Sequence, residues 1–455
     1  MHTDDTIAAI STPAGQGGIG IVRLSGKDAI NIAEKIFRSP KKHRIKKTGT
    51  HKILYGHILD PASKEHVDEV LLSLMRAPNT YTKEDIIEIN CHGGAVPVRR
   101  VLELVINNGA RLADPGEFTQ RAFLNGRIDL AQAEAVLDVI NSLTVESQKT
   151  AVNQLKGRLS DRILKIREEL IELAALVETY IDFPEEDIEP ISLKDMKERL
   201  LKIKKSIEKL LNSSKYGLIL REGLKTAIIG RPNVGKSSLL NALLEKDRAI
   251  VTESPGTTRD VIEEYLNIKG LPLRIMDTAG IRSVEDIAEK EGVKRSLNAI
   301  EDADLVLLVI DGSKPLHRTD KELLKKSENK SRILVVNKSD LSQIIKLDDI
   351  KNGLVKISAK KGTGLSRLKN KIVTTALDGN SESNTDSVTN IRHVNALERA
   401  LNSLNSFQTE MNNRTSPEFL SVELREALDA IGEIIGITTP DDILNRIFSS
   451  FCIGK

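Results

Sequence analysis

The sequence predicts a multidomain protein that joins α/β and all-α architecture, and three observations support this. The chain has 455 residues, enough for about two to four domains. Over residues 224–378, short apolar runs alternate with helical patterns, which is typical of a mostly parallel sheet covered by helices. Before and after that stretch, apolar residues recur at spacings of three and four. We therefore expect an α/β domain inserted between two helical segments.

Residues 1–121 show the mixed pattern of an α+β domain. Short strands are predicted for IGIVRLSG and EDIIEIN, and a helix for VPVRRVLELVINNG, where the final glycine ends it. Residues 15–20 have the G-x-G-x-x-G spacing of a dinucleotide-binding loop, but they lead into a strand where such a loop needs a helix. No dinucleotide site is expected there.

The helical segments on either side of the insertion are predicted to pack together as one discontinuous domain, because neither looks complete alone. The first of them shows helical spacing from about residue 128 to 181. Polar stretches at 212–217 and 378–390 are interpreted as linkers. The predicted bounds are 1–121 for the α+β domain, 122–217 with 380–455 for the helical domain, and 218–379 for the inserted α/β domain.

The composition indicates where the protein works. Only two cysteines occur, Cys91 and Cys452, so no disulfide framework is expected and a reducing compartment fits. The N-terminus lacks a signal-peptide pattern, and no run approaches the ~18 apolar residues of a membrane span. We therefore expect a cytoplasmic protein with no membrane partner. Cys91 beside His92 has no second pair of ligands and is expected to be a packing residue.

Charge and aromatic content bear on nucleic-acid binding. Aromatic residues make up 3% of the chain, which argues against a platform that stacks single-stranded bases. The net charge of +2 is a sum over runs of opposite sign: residues 38–52 hold seven basic side chains and no acid, and residues 182–189 hold five acids and no base. The basic run is interpreted as a solvated loop, and the acidic run as a solvated turn or a set of cation ligands. A second basic run at 194–221 is either a plain helix surface or part of a tRNA contact, so an RNA partner stays open.

A phosphate-binding loop is predicted at Gly230–Ser237. The short apolar run KTAII leads into GRPNVGKS, and a helical pattern follows, which is the strand–loop–helix setting that G-x-x-x-x-G-K-[ST] requires. Glycines let backbone N–H groups surround phosphates at the start of a helix. In this pattern Lys236 reaches the β- and γ-phosphates, and the Ser237 hydroxyl is a ligand of Mg²⁺.

Further motifs select guanine over adenine. Asp340, in Asn337-Lys338-Ser339-Asp340, can accept two hydrogen bonds from the N1–H and the 2-amino group of guanine, a donor pair that adenine lacks. The tripeptide that begins at Ser358 can offer a backbone N–H to guanine O6. The run at Asp277–Gly280 adds an acid for the Mg²⁺ shell and a glycine N–H for the γ-phosphate. The order and spacing of these elements predict a GTP-binding domain.

One expected catalytic group is missing. In Ras-like enzymes a glutamine that orients the attacking water follows the DTAG glycine. Ile281 occupies that position here and cannot perform this role. The following loop offers Glu285, Asp286, Glu289 and Glu291, and the residues alone do not choose among them.

At this point the sequence resembles the MnmE (TrmE) family of tRNA-modification GTPases, one of the TrmE-Era-EngA-like GTPases. The resemblance covers nearly the whole chain and rests on DTIAAISTPAGQGGIGIVRLSG, HGG, PGEFTQRAFLNGRIDLAQAEAV, GRPNVGKSS, VTESPGTTRD and FCIGK. It implies that residues 1–121 form a folate-binding and dimerisation domain. It also implies that residues 218–379 form a P-loop G domain with a Ras-like sheet.

The activity that the resemblance implies goes beyond GTP hydrolysis. Members act with the flavoprotein MnmG to add an aminomethyl or carboxymethylaminomethyl group to C5 of the wobble uridine of certain tRNAs. The carbon comes from a tetrahydrofolate derivative, in its 5-formyl or methylene form. The implied assembly is a homodimer through the N-terminal domain and a heterotetramer with MnmG.

Folate-binding positions are carried over by motif to Arg23, Glu88, Arg127 and the terminal Lys455. Basic groups suit the glutamate carboxylates of folate, and a carboxylate suits the pterin N–H edge. The family usually has arginine where this chain has Gln16, and often lysine in place of Arg127. Cys452, in the terminal FCIGK, is either catalytic or a packing residue.

The resemblance also assigns the cations and the water-orienting acid. In this family a bound K⁺ takes the place of an arginine finger, and hydrolysis is stimulated as G domains dimerise. The implied K⁺ ligands are Asn233, Thr252, Ser254 and Thr257, the implied Mg²⁺ ligands are Ser237 and Thr258, and Glu289, three residues before Gly292, is the implied catalytic residue. The expected GTP-binding residues are Asn233, Val234, Gly235, Lys236, Ser237, Ser238, Thr252, Glu253, Ser254, Pro255, Gly256, Thr257, Thr258, Asp277, Thr278, Ala279, Gly280, Asn337, Lys338, Asp340, Ser358, Ala359 and Lys360.

Two other functions compete with this one. The first is an RNA-binding switch of the Era or Der type, which assists ribosome assembly and normally carries a KH-type module. No convincing GxxG loop of such a module follows residue 378. The second is a folate-dependent transferase whose G domain is only regulatory, which the N-terminal half alone would allow.

Overall fold

The computed structural model describes residues 4–41, 44–182, 193–247, 264–276, 297–345, 354–377, 387–413 and 415–455. The chain divides into two units, Met1–Leu137 with Gly432–Lys455 and Asp138–Ile431. Residues 432–455 therefore group with the N-terminal part, whereas the sequence assigns them to the helical domain. The predicted domain bounds remain predictions. Within the described ranges, no helix is both long enough and apolar enough to cross a membrane.

Both units contain strands as well as helices. In chain order, the strands are β1 (Ile7–Ile10), β2 (Gly20–Ser25), β3 (Phe37–Arg38), β4 (Lys52–Leu59), β5 (His66–Met75), β6 (Ile86–Cys91), β7 (Arg111–Leu112), β8 (Leu224–Ile229), β9 (Glu264–Ile268), β10 (Leu271–Met276), β11 (Leu305–Asp311), β12 (Arg332–Asn337) and β13 (Leu354–Lys356). The helices are α1 (Ala29–Ile36), α2 (Ala95–Asn107), α3 (Glu117–Leu124), α4 (Leu130–Ile140), α5 (Val145–Leu155), α6 (Arg158–Asp182), α7 (Leu193–Glu222), α8 (Lys236–Asp247), α9 (Arg318–Lys326), α10 (Leu365–Ala376), α11 (Ile391–Asn413), α12 (Pro417–Ile435) and α13 (Asp441–Ser449).

The first unit is built on a seven-stranded sheet in the order β3-β4-β5-β6-β2-β1-β7. All neighbours pair antiparallel except β1 and β7, which run parallel. Buried apolar residues of α1 and α2 share one core with alternate residues of the strands. On β1, Ile7 and Ala9 pack instead with Phe118 of α3. The predicted α+β architecture is confirmed.

Two local predictions in this unit are also confirmed. Residues 15–20 lead into β2 and not into a helix, so the chain lacks the element that a dinucleotide-binding loop needs. Cys91 lies buried on β6, and burial raises the pKa of its thiol to about 11. A thiol in this setting stays protonated and packs as a small apolar side chain.

The helical stretch predicted from about residue 128 to 181 is divided into α4, α5 and α6. The first break, between α4 and α5, ends at Thr144, which caps the start of α5. The Thr144 hydroxyl accepts the backbone N–H of Ser147, and the Ser147 hydroxyl accepts the Thr144 N–H. The second break falls at Gly157, whose φ of 86° lies in the left-handed region.

The predicted linker at 212–217 is wrong, because α7 continues through it to Glu222. The hydroxyls of Ser213 and Ser214 donate to carbonyls three residues earlier, at 2.6 and 2.7 Å. Gly217 is buried, and an added Cβ would lie 2.1 Å from the Val388 carbonyl oxygen. These polar and small residues thus serve close helix packing and not a loop.

The second unit contains a six-stranded sheet in the order β13-β12-β11-β8-β10-β9. Every pair is parallel except β9 with β10. All seven residues of β11 are buried, as expected for a parallel strand covered on both faces. The mostly parallel sheet predicted for the insertion is confirmed, and the carboxyl ends of β8, β11 and β12 lie side by side at one edge of it.

Candidate functional site

The loop between β8 and α8 has the backbone conformation that a phosphate-binding loop needs. Gly230, Asn233 and Gly235 all have positive φ angles, of 148°, 63° and 99°. A Cβ on Gly235 would lie 2.2 Å from the side-chain nitrogen of Asn337, so no larger residue fits there without moving that side chain.

The Lys236 ammonium lies over this loop. Its Nζ donates to the carbonyl oxygens of Gly230 at 2.9 Å and Arg231 at 3.0 Å. Burial lowers the pKa of Lys236 from its ordinary value. A cation held across a loop in this way is available to neutralise phosphate oxygens.

Asn337, the last residue of β12, joins three loops. Its side-chain nitrogen donates to the Val234 carbonyl at 2.9 Å, and its side-chain oxygen accepts the Ala359 N–H at 3.0 Å. A hydrogen bond from Ser358 is the largest cause that lowers the pKa of Asp340, so this carboxyl is ionised at neutral pH. The fold therefore joins Asn337 to the phosphate loop and places the ionised Asp340 carboxylate beside Ser358.

Lys338 connects the same two loops by another route. Its Nζ donates to the Asn233 carbonyl at 2.9 Å and to Asp311 Oδ2 at 2.7 Å. Sequence reasoning missed Asp311, because its partner lies 27 residues away. The only available signal was an acid at the end of a buried strand.

The remaining expected nucleotide residues divide into two groups. Val234 is buried, Ser237 and Ser238 lie on the first turn of α8, and Lys360 follows Ala359 in an exposed turn. The other expected residues lie outside the described part of the chain: 252–258, 277–280 and Glu289.

The first unit brings the expected folate positions together. Arg23 on β2 faces Glu88 on β6 in register, with Nε and one terminal nitrogen each 2.8 Å from Glu88 Oε1. The second terminal nitrogen of Arg23 donates to the Gly454 carbonyl at 3.2 Å. Lys455 follows directly, so the carboxyl terminus of the chain is held at this ion pair.

Tyr81 lies between the two arginines of the group and was missed in the sequence. The guanidinium carbon of Arg127 is 4.7 Å from the centre of the Tyr81 ring, and that of Arg23 is 5.9 Å from it. The Tyr81 hydroxyl is hydrogen-bonded to Thr119 at 2.9 Å. No periodicity or motif marks Tyr81, which lies in a loop before β6.

The terminal turn carries Cys452, the exposed one of the two free cysteines. The carbonyl of Cys452 accepts the N–H of Gly116 at 3.4 Å and of Lys455 at 3.3 Å, while its side chain is exposed. Gly454 has a φ of 92°, and an added Cβ would lie 2.3 Å from the Ile10 carbonyl oxygen. The tail therefore packs tightly on the end of β1.

The described residues contain no group of three or more His, Cys, Asp or Glu side chains arranged to hold a metal. The donors expected for cations are of another kind. Asn233 has an exposed side-chain carbonyl, which suits K⁺, and Ser237 offers a hydroxyl, which suits Mg²⁺ beside phosphate. The described donors thus fit these two cations in chemistry.

Comparisons with known proteins agree along the whole chain. The family model described as "GTP-binding protein TrmE N-terminus" matches residues 6–127, and the model described as "MnmE helical domain" matches residues 130–452. The tRNA modification GTPase MnmE of Ligilactobacillus salivarius is 50% identical over 99% of this chain and 98% of its own length. Proteins of that name from Alkaliphilus oremlandii and Clostridioides difficile are each 48% identical over 100% of both chains. The chain therefore belongs to the MnmE family of tRNA modification GTPases.

Proposed function

We propose that the protein hydrolyses GTP and, with the flavoprotein MnmG, adds an aminomethyl or carboxymethylaminomethyl group to C5 of the wobble uridine of certain tRNAs. The carbon comes from a folate-carried one-carbon unit. One observation carries the folate part: Arg23, Glu88, Arg127 and the tail at Lys455, positions far apart in sequence, gather in one unit around Tyr81.

The chemistry of this group suits a folate. The Arg127 guanidinium can bind a carboxylate of the glutamate tail, and Glu88, held by Arg23, can accept hydrogen bonds from the N–H edge of the pterin. Arg23 and Glu88 are each only about one-fifth exposed, at 19% and 22%, so the pair is shielded but reachable. Tyr81 offers a ring face for a flat heterocycle. When bound, the folate supplies the one-carbon unit.

In GTP hydrolysis, water attacks the γ-phosphorus and the bond to the bridging β–γ oxygen breaks, giving GDP and phosphate. Lys236 neutralises the β- and γ-phosphate oxygens, and Asp340 holds the guanine. Glu289 orients the water, the role that a glutamine has in Ras-like enzymes at the position of Ile281. Ser237 and Thr258 would hold Mg²⁺, and Asn233 with Thr252, Ser254 and Thr257 would hold K⁺. Both ions would supply further positive charge at the phosphates.

Nucleoside mass spectrometry tests the proposal. A bacterial strain that lacks the protein is complemented with wild type, Glu88→Gln, Lys236→Ala or the control Arg99→Ala, whose ion pair with Glu103 is exposed. We expect loss of the C5-modified wobble uridine with Glu88→Gln and Lys236→Ala, and normal levels with the control. If the uncomplemented deletion strain kept wild-type levels of the modified uridine, the tRNA function would be overturned and the ribosome-assembly switch favoured.

Two in vitro measurements separate the parts of the proposal. Binding of 5-formyltetrahydrofolate to the purified protein should weaken at least tenfold in Glu88→Gln, because the pterin loses a charged acceptor. GTP turnover should be faster in K⁺ than in Na⁺, and Glu289→Ala should lose most of it. Equal turnover in both salts would contradict the role of K⁺ and leave the folate site untouched.

A further inference from the structure

Asp311 is a buried carboxylate that no sequence motif accounts for. It ends β11, beside Asn337 of β12 in the parallel register. Its side chain is only 3% exposed. Burial would raise the pKa of Asp311, but hydrogen bonds from Lys338 and Ser313 lower it on balance, so the group is ionised. An ionised group with so little exposed surface needs a specific partner.

Each carboxylate oxygen has its own task. Oδ1 accepts the backbone N–H of Ser313 at 3.0 Å and the Ser313 hydroxyl at 2.6 Å, which closes the turn after β11. Oδ2 accepts the ammonium of Lys338 at 2.7 Å. The first contact is local to the turn, whereas the second reaches into the base-reading motif.

Lys338 needs this partner to keep its ammonium in one position. Its backbone is in the left-handed region at a φ of 63°, directly after β12 ends. Its ammonium also donates to the carbonyl of Asn233, which has the same φ of 63° at the tip of the phosphate loop. A lysine side chain is long and has several rotatable bonds, so a fixed carboxylate is what keeps its head group on that carbonyl.

We propose that Asp311 is a positioning residue for guanine-nucleotide binding. Its carboxylate anchors Lys338, and the anchored lysine ties the phosphate loop at Asn233 to the base-reading motif that continues to Asp340. The inference rests on the proposed GTP site and adds a residue to it. Without the anchor, the two loops that contact opposite ends of the nucleotide lose one of their direct links, and the bound nucleotide leaves faster.

The test is a double-mutant cycle on release of fluorescent GDP from the full-length protein. The variants are Asp311→Asn, Lys338→Met and the double variant. Asp304→Asn is the matched control, because Asp304 precedes the other end of β11 and its side chain accepts a backbone N–H, from Lys225. We expect release about tenfold faster in Asp311→Asn, the range for losing a hydrogen bond between charged groups. The control should match wild type.

The double variant distinguishes positioning from a purely local turn role. If Asp311 acts through Lys338, adding Asp311→Asn to Lys338→Met changes release little further. Additive effects would overturn the proposal and leave Asp311 as a turn-forming residue. Asp311→Ser is a second variant, which can still close the turn with Ser313 but cannot reach Lys338, and it should also release GDP faster.

The outcomes also separate this inference from the proposed function. Wild type that binds no guanine nucleotide would overturn the proposed GTPase activity itself. Wild type that binds GDP, with Asp311→Asn and Asp311→Ser releasing it at the wild-type rate, would overturn only the role of Asp311. Thermal unfolding of each variant confirms that the compared proteins are folded.

Discussion

Gly235 of the phosphate loop lies against the side chain of Asn337, and this contact leaves no room for a larger residue at position 235. We predict that Gly235→Ala lowers GDP affinity more than tenfold. The added Cβ would lie 2.2 Å from the Asn337 nitrogen. It would displace the hydrogen bond that Asn337 donates to the Val234 carbonyl and the one that Asn337 accepts from the Ala359 N–H. Equilibrium titration with GDP measures the loss.

The matched control for that variant is Gly362→Ala. Gly362 also has a positive φ, of 70°, but nothing lies within 4 Å of an added Cβ. It therefore has only the conformational cost of an alanine in the left-handed region, about 1–2 kcal/mol. Equal GDP affinity in both alanine variants would show that the contact with Asn337 is not what matters.

His92 allows a prediction about pH. Its Nδ1 is 2.6 Å from Asp68 Oδ1, and this hydrogen bond, followed by the charge of Asp68, raises the pKa of His92 above 6.5. A raised folded-state pKa stabilises the protein fully below about pH 6.5, and that contribution is lost as the pH rises through the folded value. In an NMR titration, Asp68→Asn should return the pKa of His92 towards 6.5. An unchanged titration would contradict the pairing.

At the scale of elements, local signals predicted the strand that leads into the phosphate loop. The run KTAII at 225–229 became β8, which is one residue longer, because an apolar run that ends at a glycine is a complete signal in itself. The motif residues Lys236, Asn337 and Asp340 could be placed relative to the strands for the same reason, while their roles in nucleotide binding stay predictions. Their expected places at the ends of β8 and β12 agree with the structure.

Non-local packing is what the sequence did not reveal. NSSKYG has the composition of a linker, yet it is helical, and Gly217 and Ser213 lie against Val388, far along the chain. Tyr81 and Asp311 escaped notice for the same reason, since each acquires its role from partners on other elements. Composition describes a segment in isolation, whereas the roles of these residues depend on side chains and backbone groups that only the folded chain places beside them.

Helix α3 provides an element-scale test in the first unit. Arg121 is 3% exposed and pairs with Glu117 at 3.0 Å, Glu84 at 3.2 Å and Asp5. We predict that Arg121→Met lowers the free energy of unfolding by about 3 kcal/mol. The change removes the cation that pairs with the largely buried Glu84, and it leaves Asp5 and Glu117 with Arg111 as their remaining partner. Chemical denaturation measures this loss.

Arg99→Met is the control for the charge itself. Arg99 pairs with Glu103 one turn along α2, where both side chains are mostly exposed, at 70% and 60%. Removing such a pair costs about 0.3 kcal/mol. If Arg121→Met were as mild as this control, the buried cluster would not be a source of stability.

At the scale of the whole molecule, the second unit combines helices and sheet through direct contacts. The Thr144 hydroxyl, at the start of α5, donates to the Gly270 carbonyl in the turn between β9 and β10 at 2.8 Å. Near the chain's return from the α/β region, Gln154 donates to the Ser387 carbonyl at 2.8 Å and Ser213 accepts the Val388 N–H at 3.3 Å. These hydrogen bonds thus hold the inserted region near the points where the chain enters and leaves it.

Gly217 packs closely against the Val388 carbonyl in this region, and Gly217→Ala tests the contact. The added Cβ would lie 2.1 Å from the oxygen and 2.7 Å from the carbon of the Val388 carbonyl, which are backbone atoms that cannot rotate away. Overpacking of this kind costs about 1–3 kcal/mol. We predict faster amide hydrogen exchange in the second unit, Asp138–Ile431, and unchanged exchange at residues 4–137.

Gly18→Ala is the control, since nothing lies within 4 Å of its Cβ, and it should leave exchange unchanged throughout. Faster exchange in both units of Gly217→Ala would show that they open together, against the division into two units.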